Sequence, residues 1–115
     1  MTLRNLEATF VRASGRHFAD GSVAHDMQTD VAFAEAHGVS FLCPGCFSRN
    51  GGPLGTHQVI VCFAGRDVPS TFLPGIARWS FSGSGIDDLT VTPSVLVGGG
   101  CAWHGFVQNG AIVNV

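Results

Sequence analysis

Short alternations of apolar and polar residues, broken repeatedly by glycine and proline, run along most of this chain. Ala8, Phe10 and Ala13 set against Thr9, Arg12 and Ser14 predict one or two strands within the first 25 residues, with Gly15 and Asp20-Gly21 as turn signals. Thr29-Asp30 before Val31–His37, with Gly38 after it, predicts a short capped helix over 31–37. Val39–Leu42 reads as a strand. Gln58–Ala64 is the clearest buried strand, rich in β-branched residues. Arg78–Ser82 alternates as a half-buried strand does, and Leu89–Thr92 and Val95–Val97 are strand-like stretches parted by Pro93-Ser94. Phe106-Val107 and Ile112-Val113 flank Asn109-Gly110, the preferred residue pair of a two-residue hairpin turn. The pattern therefore predicts one mainly-β domain over residues 1–115, with small antiparallel sheets and one short helix.

Composition narrows the classes. Of 115 residues only 12% are charged, about half the usual share, and the basic residues are all arginine. With a net charge of -2 there is no broad basic footprint for nucleic acid. No stretch approaches the roughly 18–20 apolar residues of a membrane span, and the first 16 residues interleave Arg4, Glu7, Arg12 and Arg16 with apolar positions, unlike a secretory signal. These features lead to the expectation of a protein kept in a cytoplasm, where four cysteines read as metal ligands more readily than as disulfides.

The cysteines themselves carry the sharpest signal. Cys43-Pro44-Gly45-Cys46 and Cys101-Ala102-Trp103-His104 each place two metal-ligating side chains three positions apart. Together they offer three sulfurs and one imidazole, a full tetrahedral set for zinc. The expected ligands are Cys43, Cys46, Cys101 and His104. With 54 residues between Cys46 and Cys101, the ion clamps two distant parts of the chain. Four protein ligands leave no open position, so the zinc is expected to be structural; the same donors could also hold an iron–sulfur cluster. Gly98-Gly99-Gly100 gives the backbone freedom to bring the second pair to the ion.

Resemblances follow from these motifs. The blocks Gly38-Val-x-Phe-Leu-Cys43-Pro-x-Cys46, Trp79-x-Phe-x-Gly83, Leu89-Thr-x-Thr-Pro93-Ser94-Val and Cys101-x-x-His104-x-Phe-Val-x-Asn-Gly110 occur in that order. This arrangement resembles a family of small uncharacterised proteins of tailed phages and prophages, which implies a phage origin and a zinc-bound β fold. Typical members carry polar residues beyond the last hairpin, so a site built from such a tail is not expected here. Cys101-Ala-Trp-His104-Gly-Phe resembles the second ligand loop of Rieske proteins, whereas Cys43-Pro-Gly-Cys46 departs from the first. Two knuckles bracketing a sheet resemble the β-tent zinc proteins, such as methionine sulfoxide reductase B and the cereblon ligand-binding domain.

The remaining residues offer less. Trp79, Trp103, Phe106 and His57 could line an aromatic pocket beside the metal; His57 could equally be a metal-proximal group, a general base or a surface residue. Cys62, within an apolar strand, reads as a buried inert thiol. Asp87-Asp88 reads as a solvated turn, and Arg78 as a candidate for stacking or anion binding. No residue is assigned a catalytic role, because no histidine or carboxylate stands at a sequence spacing that pairs it with a nucleophile. The expectation is thus a non-enzymatic phage accessory protein, in the host cytoplasm or the virion. It would act through a protein partner or self-association, chiefly by the loops 50–55 and 65–74. A small-molecule or nucleotide binder and a zinc-dependent hydrolase or redox enzyme are the alternatives.

Overall fold

The computed structural model describes residues 1–98 and 101–115. Among the described residues, eight strands form two four-stranded antiparallel sheets. The first contains β1 (Thr9–His17), β2 (Val23–Thr29), β3 (Gly38–Leu42) and β4 (Gln58–Cys62), in the order β2-β1-β3-β4. The second contains β5 (Ser80–Ser82), β6 (Thr90–Leu96), β7 (His104–Gln108) and β8 (Ala111–Asn114), in sequential order. The mainly-β class and the final hairpin are as the alternation predicts: Phe106 pairs with Val113 and Val107 with Ile112, around Asn109 and Gly110, both at positive φ. Gly15 makes no turn; it lies inside β1, and the chain reverses at Asp20-Gly21.

The helix lies elsewhere than the pattern predicts. Residues 31–37 contain only a 3-10 turn, Phe33–Glu35. The carbonyls of this segment are claimed by arginines: Arg66 donates to the Phe33 and Ala36 oxygens at 2.7 and 3.1 Å, and Arg12 to the Glu35 oxygen at 2.8 Å. The one α-helix among the described residues, α1 (Pro44–Asn50), begins inside the first cysteine pair. Pro44 stands in its first turn, where a missing N–H costs nothing, and Gly51 ends it in the left-handed region at φ 69°.

One apolar core joins the sheets. Val39, Phe41 and Val61 from the first pack with Val91, Val95 and Val107 from the second and with Leu89 just before β6. Phe63 stacks on Phe81 with centroids 4.4 Å apart, and Trp103 meets Phe41 edge-on at 6.4 Å. The N-terminal segment ties both layers: Leu3 N donates to Gly110 O at 2.9 Å, and Leu42 N donates to Leu6 O at 2.9 Å. Leu3 and Leu6 are fully buried where the segment crosses.

Candidate active site and metal centre

Three sulfurs and an imidazole converge where the sheets meet. Cys43 stands between β3 and α1, and Cys46 lies in the first turn of α1, so the three-residue spacing puts both on one side of the helix start. His57 immediately precedes β4 and Cys101 precedes β7. Their ligating atoms all lie within 4.8 Å of one another. His57 Nδ1 is 3.4 Å from Cys46 Sγ and 3.5 Å from Cys101 Sγ. Sulfur and nitrogen ligands of one tetrahedral zinc ion, with bonds of about 2.3 and 2.0 Å, stand about 3.5 Å apart. The Cys46 and Cys101 sulfurs are in direct contact, with Cα atoms 5.8 Å apart. A disulfide would need only those two; a third sulfur and an imidazole at the same point are what a metal ion needs. The cluster could hold a metal ion, and zinc fits its donors and spacing.

The fourth member differs from the sequence expectation. The described structure groups His57, not His104, with the three cysteines. His104 has the ligand spacing to Cys101, whereas His57 is delivered by backbone pairing: its carbonyl accepts from Cys43 N at 2.8 Å, which fixes the two residues side by side. Gly99 and Gly100, whose freedom was expected to swing the second pair inward, lie outside the described residues.

His104 instead faces a hydroxyl. Its Nε2 is 2.8 Å from Ser94 Oγ. The contact arises from an irregularity between β6 and β7. Val91 pairs with Val107 and Val95 with Gly105, so four steps along β6 match two along β7. The extra residues include Pro93 and Ser94. Beyond the bulge Leu96 pairs with His104, which makes Ser94, two residues earlier, a diagonal neighbour of the imidazole. Trp79 Nε1 donates to the Ser94 carbonyl at 3.3 Å and helps hold the bulge.

A cleft of about 330 Å³ lies between the segments His57–Ile60 and Val95–Val97; it reaches Val95, the residue after Ser94, but neither Ser94 nor His104 lines it. Trp79 and His57 border it. Trp103 is buried against Phe41, with Nε1 donating to Asn114 Oδ1 at 2.8 Å, and neither it nor Phe106 lines the cleft. The aromatic pocket expected from sequence is therefore not assembled as a unit.

The comparisons with known proteins bear on this arrangement. The family model described as bacterial ubiquitination-like system serine protease (BubE) matches residues 10–115. The chain belongs to the BubE family. No curated protein and no solved structure matches. Membership of BubE overturns the expectation of a non-enzymatic phage accessory protein or virion component: the family is a bacterial one, described as a protease, and the hydrolase alternative is the better fit. A BubE protein described as a serine protease calls for a serine beside a base, and Ser94 and His104 make such a contact. The ten-residue gap between them hid this, since only strand pairing brings them together.

Other candidates have structural roles. Asp87 pairs with Arg4, and Asp88 accepts from the Ser84 and Gly85 amides at the start of a 3-10 turn; both partnerships hold these carboxyls below their usual pKa. Arg78 donates to the Phe72, Pro69 and Leu73 carbonyls, bracing the loop 65–74. Cys62 is buried and outside the metal cluster, and its desolvation pushes the thiol pKa up, with Arg78 a lesser opposing influence. Among the described residues no helix is long and apolar enough to cross a membrane.

Proposed function

We propose that this chain is a serine hydrolase of amide bonds in proteins, with Ser94 as nucleophile and His104 as general base. The contact of 2.8 Å between Ser94 Oγ and His104 Nε2, in a chain of a serine protease family, carries this reading. Ser94 Oγ attacks the scissile carbonyl while His104 Nε2 takes its proton. His104 then gives that proton to the departing amine as the carbon–nitrogen bond breaks, leaving an ester on Ser94. A water, deprotonated by His104, attacks the ester; the acid product leaves and Ser94 recovers its proton. The family's place in a bacterial ubiquitination-like system points to protein substrates carrying amide links to a modifier, with the system's proteins as partners.

The metal has a different task in this reading. Zinc held by Cys43, Cys46, His57 and Cys101 has all four positions taken by protein, the arrangement of a structural site. It would tie the start of β4 and the segment leading into His104 to helix α1, and so hold the two walls of the cleft. Hydrolysis is assigned to the serine for this reason.

A fluorophosphonate reagent tests the assignment. Wild-type protein is expected to be phosphonylated on Ser94, as mapped by peptide mass spectrometry. Ser94→Ala should abolish labelling and lower amide hydrolysis by at least about 10³-fold. An unlabelled wild-type Ser94, or full hydrolysis by Ser94→Ala, would remove the serine reading.

A further inference from the structure

The cleft that begins at Val95, the residue after Ser94, is bounded by two strand edges with unpaired backbone groups. β4 is the last strand of the first sheet. Cys43 N donates to His57 O and Phe63 N to His37 O, both at 2.8 Å, so the odd-numbered residues of β4 turn their backbone polar groups toward β3. Alternation then turns the N–H and C=O of Gln58 and Ile60 outward. The Cys62 carbonyl confirms the phase: it points outward and accepts from Trp79 N at 2.9 Å. On the opposite wall Val97 N donates to Trp103 O at 2.8 Å, so Val95 and Val97 face β7 and Leu96 faces the cleft. β5 cannot cover Leu96, because its pairing with β6 ends at Ser80 opposite Thr92. Among the described residues, no backbone group partners the outward groups of Gln58, Ile60 or Leu96.

The chain itself fills the near end of this gap. Trp79 donates to Cys62 O, accepts from Ala64 N, and reaches Ser94 O with its indole, so it sits between the two edges as a strand residue would. Past Trp79 the place of a strand is open. Nothing protects the β4 edge in the usual way: Gln58–Cys62 carries no charge and no proline, and the chain has no lysine. Leu96, 69% exposed, and Ile76, 50% exposed, add apolar surface at the rim.

We infer that the substrate enters as a single extended polypeptide strand lying between β4 and β6, bound through the backbone groups of Gln58, Ile60 and Leu96 and thereby delivered to Ser94. This rests on the serine hydrolase reading above and specifies its substrate class: an unfolded segment or tail, recognised mainly by atoms that every peptide carries, with an apolar side chain favoured against Ile76 and Leu96. A folded surface without a free strand would be refused.

Casein, a disordered protein, is a fair probe of backbone recognition. Fluorophosphonate labelling of wild-type Ser94 first reads the serine–histidine pair without any peptide. Ile60→Pro removes one outward N–H and leaves the bonds to β3 intact; with its fold verified by thermal unfolding, it should cleave fluorescein-labelled casein at least tenfold more slowly, mainly through KM. Labelled wild type together with Ile60→Pro cleavage within twofold of wild type, or with no casein cleavage at all, would overturn the strand mode and leave the serine reading standing. Failure of wild-type labelling would remove both. Should Ile60→Pro not fold, amide exchange decides on the Ser94→Ala chain: saturating casein should slow exchange at Gln58, Ile60 and Leu96 at least tenfold, and unchanged exchange there would overturn the inference.

Discussion

Replacing Cys101 by serine tests whether the cysteine–histidine cluster holds the two sheets together. Cys101 is its only member from the second half of the chain, and it closes a loop of 55 residues onto Cys46. In the chain-entropy treatment of cross-links, releasing a loop of that length frees the unfolded state by about 4 kcal/mol. A domain of this size is stable by about 5–15 kcal/mol in total, so the loss takes a large share of it. Urea unfolding of the zinc-loaded protein, followed by tryptophan fluorescence, is the assay, since Trp103 stands two residues from the mutated position and packs on Phe41. Cys101→Ser should lower the midpoint by the equivalent of about 4 kcal/mol with little change in slope. A chelator should destabilise wild type by at least as much as the substitution does, since it also removes the ion from Cys43, Cys46 and His57. Two results would refute the reasoning: a variant within about 1 kcal/mol of wild type, or a wild type destabilised by reductant yet indifferent to chelator, which would mean a disulfide in place of an ion.

The two histidines should separate cleanly. His104→Ala is expected to retain about one zinc per chain by elemental analysis while losing hydrolytic activity, and His57→Ala to lose tenfold or more in zinc affinity; the reverse pattern would restore His104 to the ligand set. Cys62→Ala should keep its metal and lose about 1 kcal/mol in urea unfolding, the cost of a small buried cavity. Stability should fall as pH drops below about 6.5, the ordinary histidine value. His37 is buried, and desolvation, reinforced by the Arg12 and Arg66 charges against the opposing Asp67, lowers its pKa in the folded chain. Its Nδ1 also accepts from Ala13 N at 3.1 Å. The unfolded chain therefore binds the proton more readily, so stability is complete above that pH and is lost as pH falls toward the depressed folded value. His37→Gln should flatten this part of a melting-temperature profile, and an unchanged slope would exclude His37 as its source.

Features that depend on near neighbours in the chain were legible in the residues alone. The β4 run is continuous and β-branched, and the last hairpin announces itself by Asn109-Gly110. Cys43 and Cys46 are ligand-spaced because a single turn brings them together. Even the true helix carried a local signal, Pro44 at its start and Gly51 at its end, which the metal-ligand reading of the same residues concealed. The helix expected over 31–37 failed for a tertiary reason: Phe33 O, which in a helix would accept from His37 N, accepts from the distant Arg66, and His37 N donates to Val11 O. The choice of His57 over His104 was likewise made by pairing between β3 and β4. Ser94 and His104 meet only because β6 carries extra residues opposite β7, and no spacing rule on one strand reveals a diagonal contact across two. Sequence by itself determined which side chains could ligate a metal or form strands, since those properties belong to residues and their close neighbours. Which imidazole faces sulfur and which faces a hydroxyl was decided by tertiary structure, because strand register sets the few ångströms over which ligation and proton transfer occur.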